Sequence, residues 1–285
     1  MAQLFEKYVR KDYEDYEDFY KNYEVNIPEN FNFAYDCIDE LAKKSPDKLA
    51  MRWTNVAGQK RDFTFADMKY YSDKTANYLK SLGIGKGDAV MLILKRHYEY
   101  WFTVIALHKI GAVMVPVTHM LTPDDIVYRL EAADIRTIIC TTQNDVPAHV
   151  TEATQRVGGE FKLWTLAEGT SGFACLNTAM ANAPETLERV ETLATDPIAI
   201  YFTSGTTDQP KGVIHDCTYP LAHFVTAKYW QRVQENKLHM SVSDSGWAKF
   251  GWGKIYGQWL CEGGLFVYDF DRFDAHDILP MFAQY

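Results

Sequence analysis

No two of the five cysteines, at positions 37, 140, 175, 217 and 261, stand at a C-x-x-C spacing, and their number is odd. A disulfide framework and a cysteine-based metal site are therefore not expected. Reduced, buried thiols fit best, and with them a cytoplasmic setting. No stretch approaches the ~18 consecutive apolar residues of a membrane span, and the N-terminus is charged and tyrosine-rich, with no apolar core of the kind that directs export. Basic residues are scarce: 29 Lys and Arg face 38 Asp and Glu, a net charge of -9. That balance argues against a nucleic-acid partner held by bulk electrostatics, so any phosphate site has to be local. The Walker pattern G-x-x-x-x-G-K-[ST] is missing too. The glycine-rich run Gly83-Ile84-Gly85-Lys86-Gly87 leads into an apolar stretch instead of opening a helix, so it reads as a turn. There is no internal repeat. What remains is a 285-residue chain, 47% hydrophobic, ample for a real core.

Along that chain, apolar spacing alternates between strand and helix. Tyr13, Tyr16, Tyr20 and Tyr23 recur at helical spacing and predict an amphipathic helix docked by an aromatic stripe. A second helix carries Ala34, Cys37, Ile38, Leu41 and Ala42 and stops before Ser45-Pro46. Leu49 to Trp53 and Arg61 to Phe63 form a hairpin. Thr64 caps a helix with Asp67 three residues on, and the helix ends at Gly83. Then follow a strand over 88–94, a helix over 98–110 closed by Gly111, a strand over 112–117, a helix started by Thr122-Pro123-Asp124-Asp125, and a strand over 136–141. Strands separated by helices imply a parallel sheet, hence an α/β fold of mostly parallel sheets flanked by helices. Between 142 and 196 the pattern weakens, leaving one expected strand at 161–166 and a surface excursion. Beyond 213, a helix over 221–230, short strands at 240–242 and 264–268, and a helix from Asp274 are expected. An approximate subdivision falls at 1–195 and 196–285.

The chemistry concentrates at Tyr201-Phe202-Thr203-Ser204-Gly205-Thr206-Thr207-Asp208-Gln209-Pro210-Lys211-Gly212-Val213. A short apolar strand, 197–202, delivers a loop with four hydroxyls in five residues: Thr203, Ser204, Thr206 and Thr207. Gly205 lets the backbone approach a ligand closely, and Lys211 supplies a positive charge suited to a polyphosphate.

This ordered string resembles the signature loop of the adenylate-forming superfamily, the acyl-CoA synthetases and their relatives. The likeness extends over residues 27–285. Asn32-Phe33-Ala34-Tyr35-Asp36, Phe63-Thr64-Phe65, Leu94-Lys95-Arg96, Gly111-Ala112-Val113 and Asp125-Ile126-Val127-Tyr128-Arg129 are similar to segments of the medium-chain branch. So are Ser243-Asp244-Ser245-Gly246-Trp247-Ala248-Lys249 and Trp252-Gly253-Lys254-Ile255-Tyr256-Gly257-Gln258-Trp259. The resemblance implies the N-terminal, AMP-binding part of an acyl-CoA synthetase fold, incomplete at 285 residues and without its C-terminal domain. It further implies an ATP-dependent acid–CoA ligase using Mg2+ and coenzyme A, a small carboxylic acid as substrate, and no nucleic-acid or membrane partner. By the same resemblance Thr203, Ser204, Gly205, Thr206, Thr207, Asp208, Gln209, Pro210 and Lys211 contact nucleotide phosphates, with Lys211 catalytic. Asp208 departs from the glycine usual at its position. It either points outward or helps hold the metal, and Asp tolerates the left-handed backbone such a turn demands.

The family's later Tyr-Gly-x-Thr-Glu segment, ribose-binding Asp and C-terminal lysine occur nowhere in these residues, so the chain alone is expected to be inactive. A truncated nucleotide-binding product and an enzyme with another acyl acceptor are the alternatives. Trp230, Trp247, Lys249 and Trp252 are expected near the acid, with Trp247 and Trp252 as walls of an acyl tunnel for a short, branched or medium-chain acid. The strands at 197–202 and 265–268 are expected to expose apolar faces and promote self-association.

Overall fold

A computed structural model describes residues 2–204 and 209–285 of the chain. Eleven strands form two sheets among the described residues. They are β1 (Leu49–Asn55), β2 (Lys60–Thr64), β3 (Ala89–Ile93), β4 (Val113–Pro116), β5 (Thr137–Cys140), β6 (Lys162–Thr165), β7 (Ala174–Cys175), β8 (Pro197–Thr203), β9 (Lys211–Asp216), β10 (Leu238–Met240) and β11 (Gly264–Asp269). The larger sheet has the order β7-β6-β5-β3-β4-β8-β9 and is parallel except for the final β8–β9 hairpin. The smaller has the order β10-β11-β1-β2, antiparallel only at β1–β2. Strands from both sides of residue 196 share each sheet.

Alternation along β3 shows how the layers stack. Val90 and Leu92 face the large core that also holds Phe65, Met68, Leu79, Trp101 and Ile105 from two helices, Phe65–Ser81 and Glu99–Ile110. Met91 and Ile93 face the opposite way, onto Ile126, Leu130, Val146 and Val150 of the helices Pro123–Ala132 and Val146–Val157. Leu265 and Val267 of β11 close the same large core from the smaller sheet. Helix Glu99–Ile110 therefore lies in the layer between the two sheets, and all of its residues are buried. A helix enclosed on every side is apolar around its whole circumference, as this one nearly is. Its one lysine, Lys109, is held at 2.7 Å by Asp39 and 2.5 Å by Asp73, so the buried charge is paired.

The helix signals act as read. Thr64 accepts from the Asp67 N–H while the Asp67 carboxylate accepts from the Thr64 N–H, and Thr122 and Asp125 repeat the arrangement. Gly111 sits at φ +72°, the left-handed conformation that ends the preceding helix. All five cysteines are free and buried.

Three expectations are corrected. The N-terminal helix Tyr16–Asn22 buries none of its residues: Tyr16 and Tyr20, 71% and 73% exposed, stack on one another in solvent. Of the expected stripe only Tyr13 and Tyr23 pack, around Phe19, which itself meets Tyr229. The weakly patterned region between 142 and 196 contains a full helix, Val146–Val157, whose Val146, Val150 and Ala153 keep helical spacing after a first-turn proline. Finally, β8 and β11 do not expose apolar faces: each has a strand on both sides, every residue of β11 is buried, and so are Ile198, Ala199 and Tyr201 of β8. The exposed apolar edge is β9, through Val213 and Ile214.

Candidate functional site

β8 enters the site from the core. Ile198, Ala199 and Tyr201 are buried, while Thr203 and Ser204 emerge exposed at its carboxyl end. The chain then returns as β9, with Thr203 opposite Lys211 and Phe202 opposite Gly212. Among the described residues, the two arms that flank the anion-type loop are thus the antiparallel strands of a hairpin at the edge of an otherwise parallel sheet. Gly212 is the return residue with little room, since a Cβ there would lie 3.2 Å from the Ile200 side chain. The Tyr128 hydroxyl donates to the Pro210 carbonyl at 2.9 Å, fastening the returning arm to helix Pro123–Ala132. Gly205, Thr206, Thr207 and Asp208 lie outside the described residues. Thr203, Ser204, Gln209, Pro210 and Lys211 are the described part of the expected phosphate site.

Beside the end of β8 opens a cavity of about 360 Å³. Its walls are the end of β4 and the following loop (Pro116, Val117, Thr118, Leu121), the end of β8 (Tyr201 to Ser204), Pro210 with Arg129, and the segment Gly246 to Lys249. It lies outside the carboxyl ends of parallel strands, where ligands bind in open α/β sheets. The fold thus brings Thr203, Ser204, Pro210, Trp247 and Lys249 together around one space.

Trp247 precedes helix Ala248–Lys254 and is held there by its N–H donating to the Asp244 carbonyl at 3.1 Å. The indole is 61% exposed, so its place is the rim and not the core. Trp252 is placed differently. It is not among the lining residues: its ring lies 5.6 Å from Trp230 and 6.0 Å from His223, with the Lys249 ammonium 5.9 Å from its centroid. Trp230 is 67% exposed and joins this second aromatic group. Tyr256 and Trp259, from the same aromatic block, are core residues. Tyr256 shares a 2.9 Å hydrogen bond with His108, and Trp259 donates to the Ala50 carbonyl.

Behind the cavity wall sits a charged cluster that the sequence pattern does not reveal, because its members come from widely separated segments. His119 and Asp244 approach to 3.4 Å, and His97 lies 3.2 Å from Asp269 and 2.9 Å from the Thr141 hydroxyl. Burial pushes the Asp244 carboxyl up, but His119 and the positive charge of Arg96 outweigh it and hold it below the usual carboxylate range. Lys254 lies in the same cluster, fully buried. Burial, with Arg96 adding to it, lowers its pKa to about 7 against the opposing pull of Asp244 and Asp269. Toward the second aromatic group, burial takes His223 down to about 4, so its ring is neutral at pH 7. Among the described residues no three His, Cys, Asp or Glu side chains converge to hold a metal ion.

Thr203 and Ser204 at the end of β8 and the exposed Trp247 border one cavity, and these are residues for which the sequence resemblance implies phosphate and acid contacts. The match to known families agrees: over residues 38–285 the chain belongs to the AMP-binding enzyme family. Among its relatives, acyl-coenzyme A synthetase ACSM3, mitochondrial, of Homo sapiens is 31% identical over 284 residues, covering 96% of this chain and 48% of that protein. Acyl-coenzyme A synthetase ACSM4, mitochondrial, of Rattus norvegicus is 32% identical over 269 residues, covering 92% and 46%. The chain spans about half the length of the curated relatives it matches.

The fold is shared with the crystal structure of Brucella canis acyl-CoA synthetase, with a TM-score of 0.84 at 20% identity over 95% of this chain and 51% of that one. It is also shared with the anthranilate CoA ligase AuaEII in complex with anthranoyl-AMP, with a TM-score of 0.81 at 20% identity over 91% and 49%. The expected cytoplasmic setting is overturned, because these curated relatives are mitochondrial proteins and point to that compartment. Free thiols report reducing surroundings without saying which compartment provides them.

Proposed function

We propose that this chain supplies the acid- and ATP-binding part of an AMP-forming carboxylic acid–CoA ligase acting on short, branched or medium-chain acids. The observation that carries the reading is the shared space: the described phosphate-loop residues Thr203 and Ser204 and the acid-side residues Trp247 and Lys249 line one cavity.

In the first half-reaction a carboxylate oxygen of the acid attacks the α-phosphorus of ATP. The α–β phosphoanhydride bond breaks, and pyrophosphate leaves with its electron pair. Hydroxyl donors such as Thr203 and Ser204 at the end of β8 stabilise the negative charge that builds on the departing phosphates. Lys211, opposite Thr203 in the hairpin register, adds a positive charge there. Lys249 orients the carboxylate from the other wall. In the second half-reaction the thiol sulfur of coenzyme A attacks the acyl carbonyl carbon, the bond from that carbon to the phosphate oxygen breaks, AMP leaves with the electron pair, and the thiol proton passes to solvent. Magnesium is proposed as the counter-ion that ATP brings on its phosphates.

Acid-dependent exchange of labelled pyrophosphate into ATP tests the reading, together with calorimetric binding of ATP and acid. Residues 1–285 are expected to bind both and to show no exchange, since the family's Tyr-Gly-x-Thr-Glu segment is nowhere in them. Failure to bind either substrate refutes the proposal. Exchange above that of a Lys211→Ala control refutes the expected inactivity.

A further inference from the structure

We propose that Gly246 and Asp244 are positioning residues that set the size of acid the cavity admits, by seating the wall that carries Trp247 and Lys249 on the backbone at the end of β4. The proposal rests on the ligase reading above. A Cβ on Gly246 would lie 2.2 Å from the Thr118 nitrogen, 2.5 Å from the Thr118 Cα and 2.6 Å from the Val117 carbonyl carbon. All three atoms are backbone at the exit of a strand flanked on both sides within the larger sheet, so none can swing aside as a side chain would. Gly246 is not among the positive-φ glycines. What the position requires is space, not an unusual backbone conformation.

Two residues earlier, Asp244 meets His119 at 3.4 Å, and His119 directly follows Thr118. One side-chain contact and one backbone contact thus clamp the same two segments within three residues of each other. Those segments are adjoining walls of one cavity, Val117, Thr118 and Leu121 in one and Gly246, Trp247, Ala248 and Lys249 in the other. No side chain of residue 246 stands between them, so their separation is fixed at backbone contact. The other crowded glycines of this region do not bring these two segments together. Gly257 packs on Ala227 and the His223 carbonyl, and Gly251 on the Tyr201 hydroxyl, the end of a side chain. Restoring ordinary carbon contact around an alanine at 246 requires the wall to retreat by about 1 Å. Misplacing a positioning element by that much costs on the order of 100-fold in its effect on substrate.

The test compares Gly246→Ala and Asp244→Asn with wild type, and uses Gly85→Ala as a control because a Cβ there meets nothing within 4 Å. Two readouts are taken on the 285-residue chain: amide hydrogen exchange over 117–121 and 243–249, and binding of straight-chain acids from acetate to decanoate in the presence of ATP. Gly246→Ala should raise exchange at least tenfold in both segments together and move the preferred acid to a longer chain. Asp244→Asn should do the same to a smaller degree, and Gly85→Ala should do neither. Unchanged protection in both segments, or raised exchange with an unmoved acid preference, overturns the proposal. If Gly246→Ala does not fold, Asp244→Asn decides by the same two readouts. If wild type binds none of the acids, the ligase reading fails and takes the specificity role with it, while the exchange data still decide whether the two segments are seated on one another.

Discussion

Replacing Lys254 by methionine isolates the energetic cost of burying an ammonium group behind the cavity wall. Its side chain is 1% exposed, and burial with the nearby Arg96 charge lowers its pKa to about 7. In the unfolded chain a lysine keeps its proton to about pH 10.4. Between these values the unfolded chain binds a proton that the folded chain has released, so this group makes stability rise with pH. Its contribution is complete above the unfolded pKa and is lost as pH falls toward the folded one. The slope is about 1.4 kcal/mol per pH unit, or roughly 2 to 3 kcal/mol between pH 7 and pH 9. Methionine fills a similar volume and does not titrate. Lys254→Met should therefore be more stable than wild type at pH 7, and the advantage should shrink by that amount by pH 9. Urea unfolding of both proteins at pH 7, 8 and 9 measures the difference directly. A difference independent of pH would refute the reasoning and show that Lys254 stays charged against Asp244 and Asp269.

The remaining predictions concern the N-terminal anchor, the aromatic segment and the loop lysine. The Glu262 carboxylate accepts from the Leu4 N–H at 2.7 Å, Lys44 at 2.9 Å and Lys48 at 2.7 Å. Burial raises its pKa, but these partners outweigh that and hold it below normal. Glu262→Ala should cost about 3 kcal/mol in urea unfolding near pH 7, with the margin disappearing as pH falls through the carboxylate range. It should also free residues 2–9 for proteolysis; unaltered cleavage there would count against the anchor. In an active ligase containing this chain, Trp247→Ala should broaden acceptance toward longer acids by about 0.8 kcal/mol per accommodated methylene. Trp252→Ala, outside the lining, should change the profile less, and the reverse order in an acid series would move the tunnel to the second aromatic group. Lys211→Ala in the same protein should slow adenylation by about 3 kcal/mol at the barrier, and an unchanged single-turnover rate would remove its assigned role.

Local signals carried much of the fold. The reciprocal caps at Thr64 and Thr122, the left-handed Gly111 and the apolar runs of β3, β4 and β5 are each decided within a few residues, so they are readable from a short window. The order of strands is not local. That β11 inserts between β10 and β1 depends on residues some 200 positions apart meeting in register, such as Met51 with Leu265. The Tyr16 and Tyr20 stripe misleads because periodicity reports a face without reporting whether anything covers it. Helix Val146–Val157 has no side-chain N-cap and buries only Val146, Val150, Ala153 and Thr154, so beyond its first-turn proline its start is not marked locally.

At the site, the hydroxyl-rich string is the local signal on which the proposed phosphate side rests. The density of tryptophans did not separate rim from core, since Trp247 and Trp259 sit in similar sequence surroundings and end in opposite environments. The clamp of Gly246 on Thr118 was invisible, because a glycine needed for close approach looks like any turn glycine until its neighbours are placed.

The central claim is that nucleotide phosphates and acid meet in the cavity between the end of β8 with Pro210 and the segment Gly246 to Lys249. The most direct measurement is a crystal structure of the chain with a non-hydrolysable acyl-adenylate analogue. The account predicts the phosphate group against Thr203 and Ser204 and the acyl group between Leu121 and Trp247. An analogue bound elsewhere, for example in the surface groove lined by Tyr13, Phe19 and Tyr229, with the cavity empty, would contradict it.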